Sequence, residues 1–196
     1  MLKRIFDIIF STIGLIILSP IIIIIAIAII IESKGGIFYM QTRVGKNNKD
    51  FKLFKFRSMS VGTDKKGLLT IGNDSRITNV GKYIRKYKLD EFAQLINVIK
   101  GEMSLVGPRP EVRKYVELYN NEQLKILNVK PGITDYASIE YFNENMILGN
   151  SKNPEKTYIE EVMPHKLELN KKYINNPTIL HDIKLIIKTI KIILLK

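Results

Sequence analysis

The sequence predicts an α+β protein that is mostly helical, with an apolar N-terminal segment, a small β-hairpin and a helical body closed by an amphipathic helix. Three observations carry that prediction. Residues 1–33 are almost wholly apolar, whereas the remainder is ordinary soluble sequence rich in Lys. Residues 37–58 contain two strand-like runs around a polar turn, and the segments beyond residue 78 place apolar residues at helical spacing. A chain of 196 residues fits one compact domain, divided here into an apolar segment, 1–33, and a body, 34–196.

Composition narrows the chemistry before any motif is read. There is no Cys, so disulfides, thiolate nucleophiles and Cys-based zinc sites are excluded, and His165 and His181 are too few for a His-rich metal site. Any metal must sit on oxygen ligands. The formal charge of +12 suits a polyanionic partner: nucleic acid, an anionic membrane surface or a phosphorylated substrate. The apolar N-terminus favours the membrane, because the surface potential of anionic headgroups holds a Lys-rich body against the bilayer.

The stretch Ile8–Ile31 is interrupted only by Ser11, Thr12, Gly14, Ser19 and Pro20 and is long enough to cross a hydrocarbon core of about 30 Å. A cleaved signal fits less well, since no small-residue cleavage site follows before Glu32 and Lys34. Lys3 and Arg4 precede the run, and Lys34, Arg43, Lys46 and Lys49 follow it, so the positive-inside rule draws both ends to the cytoplasm. Pro20 removes the backbone bond to the Ile16 carbonyl, at a cost of about 3 kcal/mol in a regular helix, and the Ser19 hydroxyl can bond backward in its place. The limbs Ile5–Leu18 and Ile21–Ile31 rise about 21 Å and about 16 Å at 1.5 Å per residue, each comparable to half a bilayer core. These residues leave two readings open, a kinked span and a re-entrant helix-break-helix. Asp7, one turn from Lys3 and Arg4, is expected to pair with them.

In the body, Ile37–Arg43 and Phe51–Ser58 read as a hairpin around the polar turn Gly45–Asp50. Val61–Asp74, rich in Gly, Asp and Lys, reads as a loop able to act as a lid. Thr78 can cap a helix through Tyr87, and Leu89, Phe92, Leu95, Ile96 and Ile99 continue helical spacing to Gly101. Gly107-Pro108-Arg109-Pro110 forms a rigid loop before a helix with Val112, Tyr115, Val116 and Tyr119 on one face, and Pro131-Gly132 marks a turn. In Ile179–Lys196, Lys184, Lys188 and Lys191 lie opposite Ile183, Ile186, Ile187, Ile190 and Leu194. That helix either lies in the headgroup plane or docks its apolar face on the core.

The candidate chemistry centres on Asp90-Glu91, at the start of the apolar helix Leu89–Ile99. The helix dipole stabilises carboxylates there, so plain charge complementation competes with catalysis as their explanation. Neighbouring positions point about 100° apart, which permits separate roles. Arg57, Arg85, Arg109 and Arg113 are donors of the type that binds phosphate bidentately, and Arg109 is held rigid between two prolines. No Walker A pattern, dinucleotide-binding glycine fingerprint, zinc motif or G-x-S-x-G occurs.

Further strings run in order across nearly the whole chain: Lys3-Arg4-Ile5-Phe6-Asp7, Ser19-Pro20, Gln41-Thr42-Arg43-Val44-Gly45, Lys55-Phe56-Arg57-Ser58-Met59, Leu89-Asp90-Glu91, Gln94-Leu95-Ile96-Asn97-Val98, Gly101 to Pro110, and Lys130-Pro131-Gly132-Ile133-Thr134. Together they resemble the bacterial sugar transferases, monotopic polyprenyl-phosphate phosphoglycosyl transferases that begin glycan assembly. The resemblance implies a re-entrant membrane helix broken at Ser19 and Pro20, on the cytoplasmic face of the bacterial inner membrane. It implies that Asp90 attacks the β-phosphorus of a UDP-sugar and releases UMP. Undecaprenyl phosphate then takes the sugar phosphate, with Glu91 assisting and Mg²⁺, held at Asp90, neutralising charge. Arg85 and Arg109 match the family's phosphate-binding arginines, with Arg57 a weaker match. The implied partners are the UDP-sugar, undecaprenyl phosphate and membrane lipids, with no nucleic acid and with a homodimer as a further option.

The chain departs from the commoner family pattern in two places. Lys88 and Ala93 flank the acidic pair where many relatives have Ser and Pro. Asp135-Tyr136-Ala137-Ser138 follows the Pro-Gly-Ile-Thr turn where many have Gly-Trp-Ala-Gln, and Glu140-Tyr141-Phe142-Asn143-Glu144-Asn145 comes next. That second region is expected to touch sugar or nucleotide, so the sugar is not transferable from a relative. A non-catalytic, membrane-tethered binding protein is the competing class; it accounts for the charge but not for the ordered strings.

Overall fold

A computed structural model describes residues 1–63, 69–71 and 74–195. Half of the expected lid, Val61–Asp74, namely 64–68, 72 and 73, lies outside the described residues. Helix α1 (Leu2–Glu32) is followed by strands β1 (Phe38–Val44) and β2 (Asp50–Phe56). Helices α2 (Asn79–Lys86) and α3 (Gln94–Lys100) come next, joined by a 3-10 turn at Leu89–Ala93. Strand β3 (Ser104–Val106), α4 (Arg113–Val116), α5 (Asn121–Leu124) and β4 (Gly132–Thr134) lead to α6 (Tyr136–Glu140), α7 (Glu144–Gly149) and α8 (Pro154–Thr157). A π turn at Tyr158–Val162 runs into α9 (Met163–Ile174), and α10 (Ile179–Leu194) closes the described chain. The architecture is the mostly helical α+β arrangement that the sequence predicts.

Helix α1 runs unbroken from Leu2 to Glu32 with Pro20 inside it, so the expected break into two limbs is not present in the backbone. The physical reason lies next to the proline. Ser19 Oγ donates to the Ile16 carbonyl at 2.7 Å, supplying the hydrogen bond that Pro20 cannot make. The helix presents bare isoleucines to its surroundings, Ile16, Ile17 and Ile24 among them, a contiguous apolar surface far beyond that of an ordinary soluble helix.

Both ends of α1 nevertheless hold the same body. Near its start, Lys3 pairs with buried Asp182 on α10, and Arg4 donates to the carbonyls of Val98 and Ile99 at the end of α3. Asp7 is buried and does not pair with Lys3 or Arg4 as expected. Its Oδ1 accepts from Ser104 Oγ at 3.0 Å and from the Leu105 amide at 3.1 Å, because β3 brings otherwise unpartnered donors into the interface. Near its far end, Ile25 and Ile29 pack with Phe56, Ile84 and Ala93.

The β1–β2 hairpin is antiparallel, pairing Phe38 with Phe56 and Val44 with Asp50, close to the expected bounds. Thr78 caps α2 as predicted, accepting from the Gly81 amide at 2.9 Å. Lys88, at φ 54°, interrupts the long helix that apolar spacing suggested and turns the chain into the 3-10 turn; Gly101, at φ 87°, ends α3. The helix expected after Pro110 is a single turn, α4.

The short strands β3 and β4 form a parallel pair not anticipated from the sequence, where Pro131-Gly132 reads as a turn. Gly132 and Gly107 explain the closeness of that pair, since a Cβ on Gly132 would lie 2.0 Å from the Gly107 nitrogen. The pair fixes the loop Gly107–Pro110 from both sides. Helix α10 buries Asp182 and Leu185 against the body, while Leu180, Ile183, Ile187, Ile190 and Leu194 remain exposed. One face of this helix is docked on the body, as one of the two alternatives expects, and an apolar stripe stays outside.

Candidate active site

The acidic pair sits in the 3-10 turn Leu89–Ala93, held from behind by hydrophobic packing of Leu89, Phe92 and Ala93 in the cluster that contains Ile25 and Ile29 of α1. The apolar helix is thus part of the wall on which the site is built. In front of the turn lies a cavity of about 360 Å³, lined by Asp90 together with Lys55, Arg43, Arg57, Arg76 and Arg85. Its size suits a small phosphorylated ligand.

Asp90 and Glu91 differ sharply in what they hold. Asp90 is buried on the cavity wall and makes no hydrogen bond or ion pair with another described residue. Glu91 is clamped by Arg109, which donates from Nη1 to Oε2 at 3.0 Å and from Nη2 to Oε1. Burial alone would raise the Glu91 carboxyl, but the charge and hydrogen bonds of Arg109, helped by Lys55 and Lys88, prevail and pull it down to about 2. Arg109 is correspondingly raised, chiefly by Glu91 and against the opposing effect of burial. Its amide donates to Asp135 Oδ2 at 3.2 Å, while Oδ1 of the same fully buried carboxylate accepts from Ser138 N at 2.6 Å and caps α6. The expected contact region around 135–145 therefore touches the site through Arg109.

The arginines named from the sequence separate into different roles. Arg85 lines the cavity, and among the described residues its guanidinium has no hydrogen-bond or ion-pair partner. Arg57 also lines it, but its guanidinium donates to the Lys34 and Ser33 carbonyls and to Ser33 Oγ at 2.9 to 3.1 Å, so it mainly ties the end of α1 to β2. Arg113 is not brought to the acidic pair: it binds Asn48 and Asp50 at the exposed tip of the hairpin.

Two contributors were missed in the sequence as functional groups. Lys55 projects from β2 into the cavity, and burial lowers it to about 8, against the opposing pull of Asp90 and Glu91 and with the push of Arg109 and Arg43. Its place in the string Lys55-Phe56-Arg57-Ser58-Met59 was the available signal. Arg43 lines the cavity while donating to Gln41 Oε1, the Pro110 carbonyl and Glu111 Oε1, and so braces the loop that carries Arg109. Lys88, the departure beside the acidic pair, lies over the Phe142 ring at 5.0 Å. It is lowered by burial, against Glu91.

A carboxylate and an ammonium whose side chains have no hydrogen-bond or ion-pair partner among the described residues share one cavity with a guanidinium array, next to an exposed apolar helix, an arrangement suited to a phosphorylated ligand. The chain belongs to the bacterial sugar transferase family, whose pattern it matches over residues 1–196. It is 36% identical to the UDP-N-acetylgalactosamine-undecaprenyl-phosphate N-acetylgalactosaminephosphotransferase of Aeromonas hydrophila, over 98% of this chain and 44% of that protein. It is 37% identical to the UDP-glucose:undecaprenyl-phosphate glucose-1-phosphate transferase of Escherichia coli (strain K12), over 97% of this chain and 39% of that protein. The uncharacterized sugar transferase EpsL of Bacillus subtilis (strain 168) is also 37% identical, over 98% of this chain and 87% of its own length. The chain thus spans less than half the length of the first two relatives.

Proposed function

We propose that this protein transfers a sugar 1-phosphate from a UDP-sugar to undecaprenyl phosphate, with Asp90 as the covalent nucleophile. The observation that carries the proposal is the Asp90 carboxylate, without a side-chain partner among the described residues, on a cavity wall shared with Lys55 and Arg85. In the first step an Asp90 oxygen bonds to the β-phosphorus of the UDP-sugar. The bond from that phosphorus to the bridging oxygen breaks, and UMP leaves with the electron pair. In the second step an oxygen of undecaprenyl phosphate attacks the same phosphorus. The Asp90–phosphorus bond breaks, the diphosphate-linked sugar forms, and the carboxylate is restored.

Lys55 and Arg85 bind and neutralise the phosphoryl oxygens as charge moves between them. Glu91, already ionised and clamped, serves to hold Arg109 rather than to accept a proton. The acceptor needs no general base, because a phosphate monoester loses its second proton near about pH 6. Mg²⁺ fits this donor set, since it commonly rests on one or two carboxylates plus ligand phosphates, and Asp90 is the carboxylate free to hold it. When bound, it would supply charge neutralisation to the diphosphate.

We further propose a re-entrant, monotopic attachment at the cytoplasmic face, in which α1 bends at Pro20 without interrupting its helix. The grip of Lys3, Arg4 and Asp7 at one end of α1, and of Ile25 and Ile29 at the other, on a single body supports it. The exposed stripe and lysines of α10 suit the same interface. The reaction is tested by supplying a panel of UDP-sugars with undecaprenyl phosphate and Mg²⁺. Release of UMP is expected; release of UDP would indicate ordinary glycosyl transfer. For topology, Cys introduced separately at Leu2 and Lys49 should label from the same side, and labelling from opposite sides would exclude the re-entrant attachment.

A further inference from the structure

Glu32, the last residue of α1, spends its carboxylate on another helix. Oε1 accepts from the Asn79 amide at 2.6 Å and Oε2 from the Val80 amide at 3.0 Å. These are the first two residues of α2, whose amides have no acceptor within their own helix. Thr78 Oγ1 takes the Gly81 amide, so the first turn of α2 is satisfied from two sources, one of them the end of the apolar helix. A negative charge there also complements the dipole of α2. Among the described residues Glu32 forms no ion pair, which leaves these amides as its partners.

Helix α2 is seated tightly and leads directly to the site. A Cβ on Gly81 would lie 2.1 Å from the Ser58 carbonyl, and Ser58 lines the cavity. Ile84 packs with Ile25 and Ile29 of α1. One residue further, Arg85 reaches the cavity, and the 3-10 turn with Asp90 begins three residues after α2 ends. Next to Glu32, Ser33 and Lys34 are held by Arg57, another cavity residue.

We infer that Glu32 is a positioning residue: by fastening the end of α1 to the first turn of α2, it sets where Arg85 stands in the cavity. The assignment rests on the proposed function for the claim that Arg85 meets phosphate. It makes the seating of the apolar helix a determinant of nucleotide affinity, although that helix contributes no side chain to the cavity lining described above.

The test uses the full chain in lipid nanodiscs, with UDP as the probe common to all UDP-sugars. Glu32→Gln keeps the size of the side chain but loses its charge and one acceptor. Loss of a capping interaction corresponds to about a fivefold change in an equilibrium. The UDP dissociation constant and the KM for UDP-sugar should therefore rise about fivefold with kcat nearly unchanged, and amide exchange at Asn79 and Val80 should accelerate. Glu32→Asp, which retains the charge, should restore part of the affinity. In an Arg85→Ala background, Glu32→Gln should add nothing further, because the two changes act through one contact. Unchanged UDP affinity with Arg85 intact, or full additivity with Arg85→Ala, would overturn the inference. Failure of the unaltered protein to bind UDP would instead count against the proposed function; amide exchange then decides the cap by itself, and unchanged exchange would refute it.

Discussion

Asp90 and Glu91 are neighbours in one turn, yet they belong to two differently prepared walls. On the Glu91 side the carboxylate is matched to Arg109, the Arg109 amide to Asp135, and Asp135 to the start of α6. On the Asp90 side the side chains of Asp90, Lys55 and Arg85 have no hydrogen-bond or ion-pair partner among the described residues while lining one cavity. The difference teaches how a site can carry a rigid frame and a reactive face on adjacent residues. Buried charges without partners are costly, so an uncompensated set is tolerated where a charged ligand completes it.

The comparison breaks most visibly if the two carboxylates are interchangeable. Asp90→Asn should reduce UMP release by at least about 1,000-fold with little change in thermal stability, since it removes a nucleophile and no structural bond. Comparable activity from that variant would erase the distinction. Arg109→Ala should act in the opposite manner, destabilising the fold by about 3 kcal/mol in denaturant unfolding because Glu91 is left buried and charged. An unaltered unfolding midpoint would show that the Glu91 wall is not held by this pair.

The pH dependence sharpens the same contrast. Glu91 has a folded value of about 2, below its ordinary 4.5, so its stabilising contribution is complete above about 4.5 and is lost as pH falls toward 2. Lys55 lies at about 8, below its ordinary 10.5, so the free enzyme loses that positive charge as pH rises through 8. The value of kcat/KM should accordingly decline above about pH 8. Lys55→Met should remove that limb at a lower overall rate, and retention of the limb would assign it to another group. The smallest effect is expected at Arg113, whose pair with Asp50 is exposed. Arg113→Ala should leave turnover unchanged and cost less than about 1 kcal/mol in unfolding.

What could be read from the sequence was local. The hairpin, the Thr78 cap, the back-bonding hydroxyl of Ser19 and the place of Asp90-Glu91 before an apolar helix each follow from residues a few positions apart. What could not be read was set by contacts distant in sequence. Arg109 reaches Glu91 from 18 positions away, Asp7 finds β3 rather than Lys3 or Arg4, and Asp182 draws Lys3 across from α10. The strands β3 and β4 are three residues each, too short to show a period, and are joined by the close approach of two glycines. Four arginines of one chemical type divided among cavity, tether and surface because tertiary position, not composition, decides which is free. Ser19 also shows that a correct local bond can have an unexpected consequence, since it carries the helix through Pro20 instead of ending it.

The central claim is that the Asp90 carboxylate transiently carries the sugar phosphate. Intact-protein and peptide mass spectrometry, after acid quench of the enzyme with UDP-sugar and Mg²⁺ but without undecaprenyl phosphate, tests it most directly. A mass increase equal to one sugar phosphate, located on Asp90 and discharged when undecaprenyl phosphate is added, is the expected result. UMP release during turnover with no such adduct at any quench time, or an adduct that persists in Asp90→Asn, would contradict it.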